Sequence, residues 1–184
     1  MSTVDFKDRV AIVTGAGGGL GRSHALELAK RGVKVVVNDL GGSVSGEGGS
    51  QTMADKVVEE IIAAGGEAMA NGANVTKADE VQAMVDAAIE KWGHVDILVN
   101  NAGILRDKSF SKMTMDDFRL VLEVHLMGSA ICTKAVWDHM KERQYGRIVM
   151  TTSSSGNYGN FGQTNYGAAK TGVIGLMNTL CLEG

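Results

Sequence analysis

The run Arg9-Val-Ala-Ile-Val-Thr-Gly-Ala-Gly-Gly-Gly-Leu-Gly21 decides how the chain is read. Its first six residues are mostly apolar and rich in β-branched side chains, the pattern of a buried strand. The glycines that follow end the strand and let backbone approach closely. Helical spacing takes over from about Gly21 to Lys30, and Gly32 marks the stop. Strand, glycine turn and helix in that order open a βαβ arrangement.

The alternation continues outward from this run. Residues 33–39 read as a second strand, and 52–64 as a helix with Val57, Val58, Ile61 and Ile62 at helical spacing. Residues 67–75 are a weaker third strand, 79–92 a helix closed by Gly93, and 95–100 a fourth strand. Thr114, three residues before Asp117, starts a long helix to about Glu142 in the manner of a capping box. Its apolar residues (Phe118, Val121, Leu122, Leu126, Ile131, Val136, Trp137, Met140) cover more than one stripe. Such a helix packs on its own sheet and on a partner. Residues 147–153 read as a buried fifth strand, followed by a polar glycine-rich turn and a helix from about Asn165 to Leu182. The predicted class is α/β, a doubly wound parallel sheet (Rossmann-like) in one domain spanning 1–184.

Composition narrows the function. With 44% hydrophobic residues and a net charge of −3, the chain is an ordinary globule with a sizeable core. No basic surplus points to nucleic acid, and 5% aromatics make a poor base-stacking platform. No unbroken apolar run of eighteen residues or leader peptide is seen, so no membrane partner and a cytoplasmic location are expected. Cys132 and Cys181 lie in apolar helical stretches and read as core thiols of a reducing compartment. His24, His94 and His139 lack metal-ligand spacing, so no metal is expected. The Gly/Ser loop 41–49 reads as a flexible loop rather than a phosphate cradle, because no strand-turn-Lys pattern follows.

Chemistry gathers at four places. Gly15, Gly19 and Gly21 (G-x-x-x-G-x-G) precede a helix start, where a dinucleotide pyrophosphate meets helix-terminal N–H groups. Asp39 ends strand two, where a carboxylate binds ribose hydroxyls and repels a 2′-phosphate, favouring NAD over NADP. The competing role is a turn-forming Asp. Asn100-Asn-Ala-Gly103 ends strand four at the carboxyl edge of the sheet; alone it would be a turn. Tyr166 and Lys170 share one helix face. A phenol of pKa about 10 is a poor base at neutral pH, and an adjacent ammonium stabilises the phenolate. Such a pair also arises by chance, so its weight comes from the motifs upstream. Tyr166 is then the general acid/base, with the hydroxyl of Ser153 holding the reacting oxygen. A lone helical His125 is more often a packed residue than a catalyst.

Taken together, Thr14–Gly21, Asp39, Asn100–Gly103, Ser153 and Tyr166–Lys170 resemble the short-chain dehydrogenase/reductase family in order and spacing. Residues 37–42, 124–126 and 158–163 look most like one branch. That branch holds the (3R)-hydroxyacyl-CoA dehydrogenase domains of multifunctional β-oxidation enzymes and their stand-alone bacterial relatives. The resemblance implies that Tyr166 donates and accepts the proton, Lys170 lowers its pKa and binds the nicotinamide ribose, and Ser153 steadies the substrate oxygen. It implies that Gly15, Gly19, Leu20 and Gly21 admit the pyrophosphate of NAD, Asp39 selects NAD, and Asn74 and Val75 flank the adenine. Asn101, Ala102 and Gly103 support the cofactor ribose and the strand. Most of the family has Asn where His125 stands, so the catalytic role of His125 is the point of departure.

The expected activity is oxidation of a secondary alcohol to a ketone, or the reverse, on a 3-hydroxyacyl-CoA or similar lipid-like alcohol. A steroid, cyclic alcohol or acyl-carrier thioester is the alternative substrate, and a non-catalytic dinucleotide-binding module the alternative of another class. The resemblance also implies a homo-oligomer (dimer or tetramer), built on Phe118 to Met140 with Val173, Leu176, Met177 and Leu180 of the final helix. The family continues with two further strands and a Pro-Gly turn, and this chain has no proline. The domain is therefore expected to be C-terminally incomplete, lacking its last two strands, with strand five an exposed edge. A peroxisomal location is the alternative if a targeting signal lies beyond Gly184.

Overall fold

The computed structural model of the chain describes residues 6–42, 45 and 52–184. Most of the 41–49 loop lies outside the described residues. Five parallel strands form one sheet: β1 (Val10–Thr14), β2 (Lys34–Asn38), β3 (Ala68–Asn71), β4 (Ile97–Asn100) and β5 (Arg147–Met150). Helices α1 (Gly19–Lys30), α2 (Thr52–Ala63) and α3 (Ala78–Trp92) connect the first four strands. Between β4 and β5 run a 3₁₀ turn (Phe110–Lys112), α4 (Met115–Leu122), a π-helical turn (Glu123–Met127) and α5 (Gly128–Glu142). After β5 come a short α6 (Ser154–Tyr158) and the long α7 (Thr164–Glu183).

Alternation along β1 shows why the sheet is covered on both faces. Val10 and Ile12 pack with Leu98 against α3 (Val81, Met84, Val85) and α5 (Cys132, Val136, Met140). Ala11 and Val13 pack with Val35 and Val37 against α1 (Ala25, Ala29) and α2 (Val57, Ile61). Strand residues with period two thus feed two cores. The spatial order is β3-β2-β1-β4-β5, so the chain reverses direction between β1 and β4. The connections that leave β1 and β4 run to opposite faces of the sheet, which opens the crevice where such folds bind ligands.

The opposite end of the sheet is tied by Asp96, fully buried ahead of β4. Its carboxylate accepts the N–H of Val10 at 3.0 Å and meets Arg143 at 3.0 Å and Arg9 at 3.4 Å. Three elements are anchored through this one side chain.

Several expectations change at this level. Where the sequence reads a buried strand, β5 pairs among the described residues with β4 alone, Val149 is 48% exposed, and Ile148 and Met150 are half-buried. Cys181 is exposed rather than in the core, while Cys132 is buried. Val173 is buried in its own core, so it is not available to an interface; Met177 is exposed. The glycine-rich turn after β5 contains α6, capped by Ser153, whose Oγ accepts the N–H of Ser155 at 3.2 Å. A cavity of about 400 Å³ lies along the open edge of β5 between Trp137 and Met177, away from the glycine turn and Tyr166.

The continuous helical run Met115–Glu142 is long and apolar enough on average to match a membrane span. In the fold it lies against the sheet. The side chains it buries (Asp117, Val121, His125, Ser129, Cys132, Thr133, Val136, Met140) include four polar ones, each held by a hydrogen-bond or ion-pair partner.

Candidate active site

The carboxyl ends of β1 and β4 are stitched together by side chains. Thr14 Oγ1 accepts the N–H groups of Asn101 and Ala102, each at 3.0 Å, and donates to the carbonyl of Val99 at 3.3 Å. Asn101 Nδ2 returns to the carbonyls of Thr14 at 3.0 Å and Gly15 at 3.1 Å. This leaves no room at two glycines. Gly15 has φ of +63°, and a Cβ there would stand 2.8 Å from Ala102 Cα. A Cβ on Gly21 would run into the carbonyl oxygen of Gly15. The first turn of α1 is thereby pressed against the strand, with its free N–H groups facing the crevice.

A cleft of about 440 Å³ opens above these residues. Gly15, Gly19, Asp39, Asn74, Val75, Asn101, Ala102 and Gly103 all line it, eight of the positions singled out in the sequence. Leu20 and Gly21 lie outside its lining, and the Leu20 side chain is 67% exposed on α1. Asp39 stands against the glycine turn: its carboxylate accepts the N–H of Gly17 at 2.8 Å and of Gly41 at 2.7 Å. Asn38, buried, donates to Asn71 Oδ1 at 3.0 Å and to the carbonyl of Ala73 at 2.9 Å, which brings the 73–75 segment to the cleft. Asn74 uses its side chain in its own turn, accepting from Thr76 N and Oγ1 at 3.0 and 2.9 Å. A glycine cradle that a Cβ would fill, a helix N-terminus and a carboxylate 22 residues beyond Gly17 fit a dinucleotide.

Beyond the cleft, α7 carries Tyr166 and Lys170. Lys170 is 4% exposed, and its Nζ donates to the carbonyl of Thr151 at 2.5 Å, just past β5. Its Nζ lies 5.5 Å from the centroid of the Tyr166 ring. Burial holds the ammonium down to a pKa of about 8. Ser153, half-buried two residues after Thr151, starts α6.

His125 bridges the two halves. It sits in the π-helical turn, 4% exposed, with its ring edge-on to Tyr166 at 5.1 Å and 88°. Nε2 lies 2.8 Å from the carbonyl oxygen of Ile104 and 3.1 Å from its N–H. One nitrogen serves only one of these at a time; the shorter contact favours an Nε2 proton donated to the carbonyl. Nδ1 is then a buried lone pair without a partner. The ring leaves no room for a Cβ on Gly103. The carbonyl of His125 is taken by Ser129 Oγ at 2.6 Å. Burial, with help from the nearby charge of Lys170, lowers the His125 pKa to about 4, against a smaller raising effect of the Ile104 carbonyl.

This has a measurable consequence. A histidine with a lowered folded-state pKa contributes stability that is fully present above its unfolded value of 6.5 and is lost as pH falls through about 4. Between pH 7.5 and 5 the expected loss is about 2 kcal/mol from this group. Urea unfolding at both pH values, with wild type beside His125→Asn, checks it. The variant is expected to lose most of that difference; equal pH sensitivity in both proteins contradicts the assignment.

Pattern reading missed Thr14, Asn38, Thr151 and Asn165 as parts of this arrangement, and missed the π turn. A threonine ending a strand, as Thr14 does, has no periodic signal that marks it. The buried stripe of α4–α5 passes through His125, Ser129 and Thr133 as well as Val121, Val136 and Met140, so counting apolar residues traces only part of it.

An open α/β sheet with a glycine turn at its switch point defines a dinucleotide-binding protein. The family model described as short chain dehydrogenase matches residues 9–184. The chain belongs to that family, whose cofactor is a nicotinamide dinucleotide. Among curated relatives, it is 58% identical over 181 residues to the peroxisomal multifunctional enzyme A of Dictyostelium discoideum, covering 98% of this chain and 40% of that protein. It is 47% identical over 175 residues to a 3-oxoacyl-[acyl-carrier-protein] reductase of Synechocystis, covering 95% of this chain and 68% of the relative. Among solved structures, a 7α-hydroxysteroid dehydrogenase complexed with NADH and 7-oxo glycochenodeoxycholic acid superimposes with a TM-score of 0.88 at 34% identity. That match covers 97% of this chain and 66% of the other. The chain spans 24–40% of the length of the multifunctional enzymes it matches.

Proposed function

We propose that the chain is an NAD-dependent oxidoreductase that interconverts a secondary alcohol and a ketone, acting on a 3-hydroxyacyl-CoA or a similar lipid-like alcohol. The observation that carries this reading is the buried Lys170 beside Tyr166, fixed on the Thr151 carbonyl next to Ser153. An ammonium is kept desolvated only where it has a task, because burial works against its charge. In this reading Tyr166 takes the hydroxyl proton in oxidation and returns it in reduction, and Ser153 holds the oxygen. Lys170 stabilises the phenolate and binds the nicotinamide ribose. His125 sits edge-on to the Tyr166 ring and holds Ile104 in place. Gly15, Gly19, Leu20 and Gly21 admit the pyrophosphate, Asn74 and Val75 flank the adenine, and Asn101, Ala102 and Gly103 support the ribose. A nicotinamide dinucleotide bound in the cleft supplies the hydride acceptor or donor.

Asp39 is assigned the choice of NAD over NADP, since its carboxylate at the glycine turn repels a 2′-phosphate. Asp39→Ser is expected to weaken NAD binding about tenfold and to narrow the gap to NADP. Dissociation constants for both cofactors decide it, and a wild-type preference for NADP sinks the assignment.

The substrate class follows the relatives' names, which also support the alternatives of a steroid or an acyl-carrier thioester. Nicotinamide absorbance with a panel of 3-hydroxyacyl-CoA esters, steroids and cyclic alcohols tests the whole reading. Turnover of none of them leaves the non-catalytic module. Family members are commonly oligomeric. A homo-oligomer through Phe118 to Met140 and α7 uses the exposed Met127 and Met177. For location, the multifunctional relatives named as peroxisomal favour that compartment over the cytoplasm expected from the sequence.

A further inference from the structure

Resting on the oxidoreductase reading above, we propose that Asn165 is a positioning residue that fixes the Tyr166 phenol relative to the dinucleotide cleft. Asn165 is fully buried, and its side-chain polar groups are engaged. Nδ2 donates to the carbonyl of Arg106 at 3.1 Å and reaches the carbonyl of Asp117 at 3.5 Å. Oδ1 accepts the N–H of Tyr166 at 2.8 Å. One amide therefore joins the first turn of α7 to the segment after β4 and to α4.

The segment it holds is the continuation of the cleft wall. Ala102, Gly103 and Ile104 line the cleft, and Ile104 is pinned by His125. Two residues on, Arg106 meets Asn165. Asp107 then accepts from Gln163 Nε2 at 2.7 Å, and the N–H of Lys108 donates to the carbonyl of Gly162 at 2.9 Å. Arg106 and Lys108 also converge on Asp117, at 3.5 and 3.0 Å. Residues 104–108 form a strap braced at three successive places to the turn before α7 and to its first turn, and the brace made by fully buried Asn165 is the one adjacent to Tyr166.

The chemistry of the residue argues for position rather than packing. A site that needed only bulk would carry an apolar side chain, since a buried amide is tolerated only when its donors and acceptors are matched. Asn165 matches a helix N–H, which lacks an intrahelical partner in the first turn, with a carbonyl of an irregular segment. The result sets the start of α7, and hence Tyr166, against the cleft wall. Misplacing a reacting group by about 1 Å can cost on the order of 10²-fold in rate.

The test uses the purified chain with NAD and its best alcohol, comparing wild type, Asn165→Ala, Tyr166→Phe and the double variant. Asn165→Ala is expected to lower kcat roughly 10–100-fold, with KM and the NAD dissociation constant within about threefold. In the Tyr166→Phe background the same substitution is expected to change residual turnover less than about twofold, because its effect runs through the phenol. Amide exchange in residues 104–108 and 164–168 is expected to speed up about tenfold while β1 to β4 keep their protection. An equal loss in both backgrounds, a change confined to cofactor affinity, or unchanged exchange overturns the proposal. If Asn165→Ala does not fold, Asn165→Ser replaces it with the same expectations; its short uncharged side chain removes the amide that spans the Arg106 carbonyl and the Tyr166 N–H. A wild-type chain that turns over no alcohol removes the oxidoreductase reading, while the exchange result still decides the tether.

Discussion

Tyr166→Phe is expected to leave the NAD dissociation constant within about twofold and to cut turnover by about 10²–10⁴-fold, the usual worth of general acid/base help. The phenyl ring remains, so the edge-on contact with His125 and the packing beside Ile104, Val121 and Ala169 remain. Only the hydroxyl goes. Because Tyr166 is half-buried and its hydroxyl has no hydrogen-bond partner among the described residues, thermal stability should stay within about 0.5 kcal/mol of wild type. Steady-state rates with isothermal NAD titration check the prediction. A variant that keeps more than about a tenth of wild-type turnover shows that another group moves the proton.

Lys170→Met is the second large effect, and it separates function from stability. The stem and its burial are kept, and the ammonium is lost. Turnover is expected to fall by at least about 10²-fold, because the phenolate loses its neighbouring charge. NAD affinity should weaken as well. Stability should behave differently. The folded-state pKa of about 8 lies below the ordinary 10.5, so the native state holds the proton less tightly than the unfolded chain. The penalty is complete below about pH 8 and is relieved as pH rises toward 10.5. At neutral pH burial of the charge therefore works against folding by a few kcal/mol, of order about 3. Removing it offsets the loss of the Thr151 hydrogen bond, itself about 1–3 kcal/mol. A variant nearly as stable as wild type but almost inactive is the expected outcome. A variant that is both inactive and several kcal/mol less stable places Lys170 among residues that hold the fold.

The sequence by itself determined the architecture and most of the cleft. Strand and helix periods are local properties, so β1 to β5 and the main helices fall within a few residues of their expected positions. The eight cleft-lining positions that sequence pattern and family resemblance singled out sit at strand ends and turns, which the order of elements brings to the switch point. What the pattern could not contain was anything depending on which neighbour a side chain meets. His125, Ser129 and Thr133 look like interruptions of an apolar helix, and the π turn makes them its buried face. Thr14, Asn101 and Asn165 reach partners 87, 86 and 59 residues away, respectively. Hydrogen-bond pairing over such separations leaves no periodic trace in the chain. It exists only once the sheet has brought the loops together, and it is there that a buried polar group finds or lacks its partner.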